Sequence, residues 1–245
     1  MYRNVAYLSD ERVMRLYTWN EDGERVSYDI PYSPYFYAET KSGKYDKISL
    51  YDTKLVKREF PNEYRRRDAI QRLKAQEREK NPGNPEPVRI FEGVSTLQQF
   101  LIDRYWRDNS KPEFSQHPIK VQFLDIETYS PDAFPVPDKA NDTVNVITVY
   151  DSLTKKFNTW GLKAYKPSRD DVIYTHCTSE RDLLIKFIDF ISNDYPDILS
   201  GWNSEFFDIP YLVNRIQRVI GEDAAKRLSP VRVIYSRELI SQFGR

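Results

Sequence analysis

From about residue 119 the chain alternates strand-like and helix-like segments, and that order constrains its fold more than any other feature of the 245 residues. The run "VQFLDIE" at 121–127 reads as a strand, "TVNVITVYD" as a second, and "KFNTW" as a third joined to it through a turn at Ser152. "SERDLLIKFIDFISNDY" has helical periodicity: Leu183, Leu184, Phe187, Ile188 and Ile191 fall on one side, and Ser179 stands where a cap belongs, with Asp182 three places on. "PDILSGWN" is a short strand ending at Gly201, and "FDIPYLVNRIQRVIG" is a further helix. Strands followed by helices predict an α/β sheet domain over 119–245. No glycine-rich turn follows its first strand, so it is neither a dinucleotide-binding nor a P-loop unit. "SPVRVIYSRELISQFGR" is expected to hold one or two more strands.

Residues 1–118 have a different texture. "NVAYLSD", "ERVMRLYTW" and "ERVSYDI" alternate or are rich in β-branched and aromatic side chains, "NEDG" at 20–23 signals a hairpin, and Ser42-Gly43 marks another turn. These features predict a small, mainly antiparallel β domain or partial barrel with helices. The aromatics of "PYSPYFYAET" suit base stacking, but they are strand formers first. "NEYRRRDAIQRLKAQEREK" at 62–80 is helical with only Tyr64, Ile70 and Leu73 as an apolar stripe. It should lie exposed, with Arg65, Arg66 and Arg67 on a solvated face. "NPGNPEP" at 81–87 breaks it. "STLQQFLIDRYW" is a second helix, capped by Ser95 and burying Leu97, Phe100, Leu101 and Tyr105.

Composition narrows the class. No run approaches 18 apolar residues, which excludes a membrane span, and the opening "MYRNVAYLSD" lacks the apolar centre of a signal peptide. One cysteine, Cys177, excludes an internal disulfide framework and points to a reducing cytoplasm. Cys177 beside His176 makes no zinc site, which needs four ligands, and His117 and His176 read as incidental. The 37 basic and 37 acidic side chains cancel, so net charge neither demands nor forbids nucleic acid.

The chemistry-bearing feature is "VQFLDIETYS" at 121–130. Asp125 and Glu127 share one side of a strand beside Phe123, in a run that otherwise looks buried. Unpaired buried carboxylates are costly, so a metal site, an ion-pair network or a charged edge is required. Asp208, in "GWNSEFFDIPYL", begins a helix just after a sheet strand, where open sheets place their ligands. Three carboxylates meeting there need a cation, and oxygen-only ligation suits Mg²⁺ or Mn²⁺. Two such ions, about 4 Å apart, support phosphodiester hydrolysis. Asn203 lies in the turn, within reach of a substrate backbone, and Phe206 and Phe207 offer an apolar wedge against a base. Each feature has a plainer explanation too: Asp-x-Glu arises by chance, and an Asp at a helix start favours the helix dipole.

"FLDIETYS", followed some eighty residues later by "GWNSEFFDIPYLVNRI", resembles the first and second exonuclease motifs of the family B DNA polymerases, in particular those of T4-like bacteriophages. The resemblance implies an amino-terminal domain followed by a ribonuclease-H-like 3′→5′ proofreading exonuclease. It also implies that Asp125, Glu127 and Asp208 are the metal-binding acids, and that Asn203 and Phe207 match the remainder of the second motif. The family's third motif, a Tyr with an Asp four residues on, is not matched: Tyr64–Asp68 is the one such pair and lies upstream. The expectation is therefore the amino-terminal portion of a DNA-directed DNA polymerase in phage-type replication, acting on a single-stranded 3′ end and weak or inactive alone. A carboxyl-terminal remainder would complete it, in cis or in trans. The alternative is a non-catalytic nucleic-acid-binding or structural subunit.

Overall fold

The computed structural model describes residues 2–80, 82, 83, 89–106, 118–131 and 134–235. It divides into two compact units, residues 1–116 and 117–245. The expectations for His117 and for the segment from 236 onward lie outside the described residues, as does most of the breaker at 81–87.

In the first unit, β1 (Tyr2–Leu8), β2 (Val13–Trp19) and β3 (Arg25–Pro31) form an antiparallel sheet in that order. The hairpin at 20–23 closes as expected: the Gly23 amide donates to the Asn20 carbonyl at 3.1 Å, with Gly23 at φ 79°. A second sheet, ordered β5-β6-β4-β7, comprises β4 (Tyr35–Glu39), β5 (Lys47–Ile48), β6 (Lys54–Glu59) and β7 (Ile90–Phe91). The strands thus form two antiparallel sheets, as expected of a mainly antiparallel β domain, and not a partial barrel. Pro31 and Pro34 interrupt the run between β3 and β4, because neither has an amide to donate to a ladder. Tyr35 and Phe36 are buried, so these aromatics serve the core.

Helix α1 (Glu63–Lys80) departs from its predicted exposure in an instructive way. Tyr64 points into solvent, while Ile70 and Arg66 are buried. The Arg66 guanidinium is clamped on Glu63, with Nη2 2.8 Å from Oε1, and the Thr96 hydroxyl donates to the other Glu63 oxygen. The basic run is therefore only partly a solvated face. Helix α2 (Thr96–Tyr105) has the full reciprocal cap between Ser95 and Gln98. It buries Phe100 and half-buries Leu101 and Tyr105, but leaves Leu97 exposed.

The second unit is built on a five-stranded mixed sheet ordered β11-β10-β9-β8-β12: β8 (Val121–Tyr129), β9 (Thr143–Asp151), β10 (Lys156–Gly161), β11 (Val172–His176) and β12 (Ile198–Ser200). β9 runs antiparallel to β8 and β10, while β11 and β12 are parallel to β10 and β8. Helices α3 (Glu180–Asn193) and α4 (Asp208–Val219) cover one sheet face, and a short α5 (Glu222–Lys226), absent from the sequence-based expectation, adds Ala225. Leu124 and Ile126 of β8, Ile147 and Val149 of β9 and Trp160 of β10 meet the five apolar residues predicted for α3 and Tyr211, Leu212 and Ile216 of α4. Each such side chain contributes about 1.5–3 kcal/mol through burial. The Ser179 side chain caps α3, accepting the Asp182 amide at 3.2 Å. Strand β11 was not foreseen. Among the described residues 229–235 no strand forms; the rest of the segment expected to hold one or two strands lies outside the described residues.

Among the described residues no helix is long and apolar enough to cross a membrane. Cys177 is buried and unpaired by any disulfide.

Candidate active site

Strand β8 alternates strictly: Gln122, Leu124 and Ile126 are buried, while Phe123, Asp125, Glu127 and Tyr129 are exposed. The acid pair therefore does not sit in a buried strand face, as its apolar setting suggested. α3 and α4 cover only the face bearing Leu124 and Ile126, so Asp125 and Glu127 project into solvent without the penalty of burial.

Asp208 is the buried member, with 4% of its surface exposed. β12 pairs with β8 only from Val121 to Phe123, so beyond Phe123 no strand among the described residues lies beside that edge of β8. The Asp208 carboxylate takes the place of a strand, accepting the Ile126 amide at 3.1 Å. The turn before it is built for this position. Gly201 leaves β12 so close to β8 that a Cβ would fall 2.3 Å from the Leu124 carbonyl oxygen. Asn203 adopts φ 56°, a left-handed conformation that Asn tolerates, and its carbonyl accepts the amides of Phe206 and Phe207, both at 3.0 Å. Ser204, buried, donates to the Gly201 carbonyl. The chain then enters α4 with Asp208 in the first turn, where its charge also favours the helix dipole.

Burial pushes the Asp208 carboxyl above its ordinary range. The Ile126 amide opposes this, and the negative charges of Asp125 and Glu127 add to it. The three acids thus share one electrostatic neighbourhood. Among the described residues, however, no three His, Cys, Asp or Glu side chains are gathered closely enough to hold a metal ion. The donor chemistry is oxygen-only and suits a hard divalent cation, but Asp208 is turned onto a backbone amide.

Asp125, Asn203, Phe207 and Asp208 line one open cleft of about 540 Å³, together with Ile126, Phe134 and Trp202. Glu127 and Phe206 are not in its wall; Phe206 is exposed. Phe207 packs between Phe134 and the buried Tyr211, with ring centroids 5.3 and 5.6 Å away. Trp202, 94% exposed, stands immediately before Asn203 and was legible in the motif but not singled out. Phe134, in "SPDAFPVPD", has no local sequence signal.

Helix α4 also holds the segment that follows Phe134. The Tyr211 hydroxyl donates to the Asp142 carbonyl (2.7 Å) and accepts the Asp142 amide, and the Asn214 amide donates to the Pro137 carbonyl. Arg215, nearly buried, forms a two-pronged pair with Glu180 at 2.7 Å and also donates to the carbonyls of Ala140 and Asn141. One helix thus presents Asp208 at its start and anchors a cleft wall along its length.

An antiparallel three-strand core with parallel neighbours and helices packed on one face is consistent with a ribonuclease-H-like domain. Residues 87–239 match the exonuclease domain of DNA polymerase family B, and the chain belongs to that family. It is similar to the DNA-directed DNA polymerase of Escherichia phage RB69, with 31% identity over 99% of this chain and 29% of that protein. It is also similar to the DNA-directed DNA polymerase of Enterobacteria phage T4 (26% identity, 92% and 26% coverage). A DNA polymerase of Pyrococcus glycovorans matches at 25% identity, with 89% and 29% coverage. The chain spans less than a third of the length of these relatives.

Proposed function

We propose that this chain carries part of the site of a two-metal 3′→5′ proofreading exonuclease, acting on a single-stranded DNA 3′ end. The observation that carries the reading is the cleft in which Asp208, buried at the start of α4, faces the strand that bears Asp125 and Glu127 and senses the charge of both. Asp125, Glu127 and Asp208 would hold Mg²⁺ or Mn²⁺, and the ions, when bound, neutralise the acids and activate a water toward the phosphodiester.

The chain's own residues do the positioning. Phe207, fixed against Tyr211, and Phe134 opposite it form an apolar wall for the terminal base. Asn203, exposed on a turn of restricted geometry, offers its amide to the substrate backbone, and Phe206 stands outside as a further apolar contact. DNA synthesis by the whole polymerase is part of the same proposal and needs the sequence that the relatives have beyond this match, in cis or in trans.

A second reading, a nucleic-acid-binding or structural part without catalysis, is favoured by the absence of a ready three-acid cluster among the described residues. One experiment separates the two. Mn²⁺ binding is followed by electron paramagnetic resonance, and nucleotide release from a 3′-labelled single strand is measured alongside it, for the wild type and Asp125→Ala. The exonuclease reading expects Mn²⁺ binding weakened at least about tenfold by the substitution, with any release abolished. Equal Mn²⁺ affinity in both proteins, with no release, sinks it in favour of the second reading.

A further inference from the structure

Residues 134–142 belong to no helix or strand, yet through Phe134 they supply one wall of the acid cleft. Their outer side chains bury little: Phe134 is 79% exposed and Val136 46%. What fixes the path of this strap is one face of α4. Tyr211, Asn214, Arg215 and Arg218 stand at i, i+3, i+4 and i+7, and Phe207, one turn earlier, continues the same side. The Tyr211 hydroxyl grips both backbone groups of Asp142, at 2.7 and 3.0 Å. The Asn214 amide donates to the Pro137 carbonyl at 3.0 Å, and Arg215 to the carbonyls of Ala140 and Asn141 at 3.1 and 2.8 Å. Arg218 adds a bond of 2.7 Å to the Asn141 side-chain oxygen. Most of these bonds end on main chain, so they specify where the strap runs.

The strap is held against its own preference. Ala140 takes φ 40°, a left-handed conformation that residues with a Cβ seldom adopt. It persists because the surroundings over-determine it: its amide donates to the Val136 carbonyl at 2.9 Å, Arg215 holds its carbonyl, and its methyl group is fully buried. The consequence lies in the cleft. Phe207 stands on the helix face and Phe134 on the strap that this face holds, with ring centroids 5.3 Å apart. Their spacing therefore depends on Tyr211 and Asn214, neither of which is in the cleft wall.

We propose that Tyr211 and Asn214 are positioning residues, which hold Phe134 where it meets the terminal base of a bound strand. This rests on the reading of the cleft as the site of a DNA 3′ end. The test is fluorescence anisotropy with the full chain and Mn²⁺. The probes are 5′-labelled dT4 and the same strand with an abasic 3′ residue, both with a phosphorothioate at the last linkage. Wild type is compared with Tyr211→Phe, Asn214→Ala, Phe134→Ala and the Asn214→Ala/Phe134→Ala pair, all checked for native circular dichroism.

Tyr211→Phe and Asn214→Ala should each weaken dT4 binding by about threefold or more, since the stacking contact is lost with the position of Phe134. Asn214→Ala should add nothing to Phe134→Ala, because it acts through that ring. Affinity for the abasic strand, which has no terminal base to place, should change by less than about twofold. Equal losses on the two strands overturn the proposal, because a helix face that merely supports the fold affects both alike. Unchanged dT4 affinity in both variants, beside a wild type that binds, overturns the proposal alone. A wild type that binds neither strand overturns the reading of the cleft as well.

Discussion

The carboxylate of Asp208, in the first turn of α4, accepts the backbone amide of Ile126 in the middle of β8 at 3.1 Å. A side chain at a helix start thereby satisfies a strand edge that β12 is too short to reach. This bond separates two roles for Asp208. Asp208→Asn retains an acceptor and removes the charge that Asp125 and Glu127 oppose. It should match or exceed the wild type in urea unfolding without added metal. Asp208→Ala leaves the buried Ile126 amide unsatisfied and should cost about 2 kcal/mol. Equal losses in the two variants would show that the bond contributes nothing.

Gly201 is a steric requirement. Any side chain there meets the Leu124 carbonyl oxygen at 2.3 Å and the Ser204 Cβ at 3.0 Å, and the first of these is sheet backbone. Gly201→Ala should destabilise the second unit by about 2 kcal/mol in chemical denaturation and speed amide exchange at Ile126. A neutral substitution would mean that β12 can move away from β8 at no cost.

The Glu180–Arg215 pair joins α3, α4 and the segment at 140–141, with its charges largely withdrawn from water. Removing one partner leaves the other uncompensated, so Arg215→Met should cost about 3 kcal/mol. A double-mutant cycle with Glu180→Gln should return a coupling of about 1 kcal/mol or more. Additive losses would contradict the geometry.

At the opposite end of β8, Lys120 lies 3.2 Å from Asp151 and 2.7 Å from Asp194. Burial works to raise the Asp151 carboxyl. The Gln122 amide, the backbone amides of Thr154 and Leu153 and the Lys120 charge outweigh it, holding the group below its ordinary value of 3.8. A depressed folded value favours the ionised, folded state. The resulting stability is present above 3.8 and is lost as pH falls through the lower folded value. The stability advantage of the wild type over Asp151→Asn, measured by urea titration across pH, should therefore be full at neutral pH and shrink in acid. An advantage that grows in acid would reverse the sign of the linkage.

Trp202 provides an optical probe of the cleft. It is almost fully exposed beside Phe207 and Asn203. A single-stranded oligonucleotide entering the cleft should quench its emission, and the change should vanish in Trp202→Phe and diminish in Phe134→Ala. Quenching that survives Trp202→Phe unchanged would come from Trp19, Trp106 or Trp160 and would place the strand elsewhere.

Much of this architecture is legible in local pattern. The five-residue apolar stripe of α3, its Ser179 cap, the hairpin at 20–23 and the shared side of Asp125 and Glu127 all follow from periods of 3.6 and 2 and from turn chemistry. The motif around Asn203, Phe207 and Asp208 is local as well, and four of its residues, Trp202 among them, line the cleft. The errors share a cause. Tyr64 and Leu97 stand at apolar positions of their helices, but which side of a helix is covered depends on what packs there, and both remain in solvent. Arg66 looks like one of three equivalent cations until Glu63 and Thr96, the latter thirty residues away, enclose it.

By itself, then, the sequence determined most elements from β8 to α4, though not β11, the alternation that puts both acids on one side of β8, and the turn that ends in Asp208. These depend on neighbours a few residues apart. Only the tertiary structure decided that this side of β8 faces water, that Asp208 lies buried against Ile126, that Gly201 has no room for a methyl group, and that Phe134 meets Phe207. Each of those joins residues about seventy or more positions apart, or depends on which sheet face the helices cover, and no period along a chain encodes such distances.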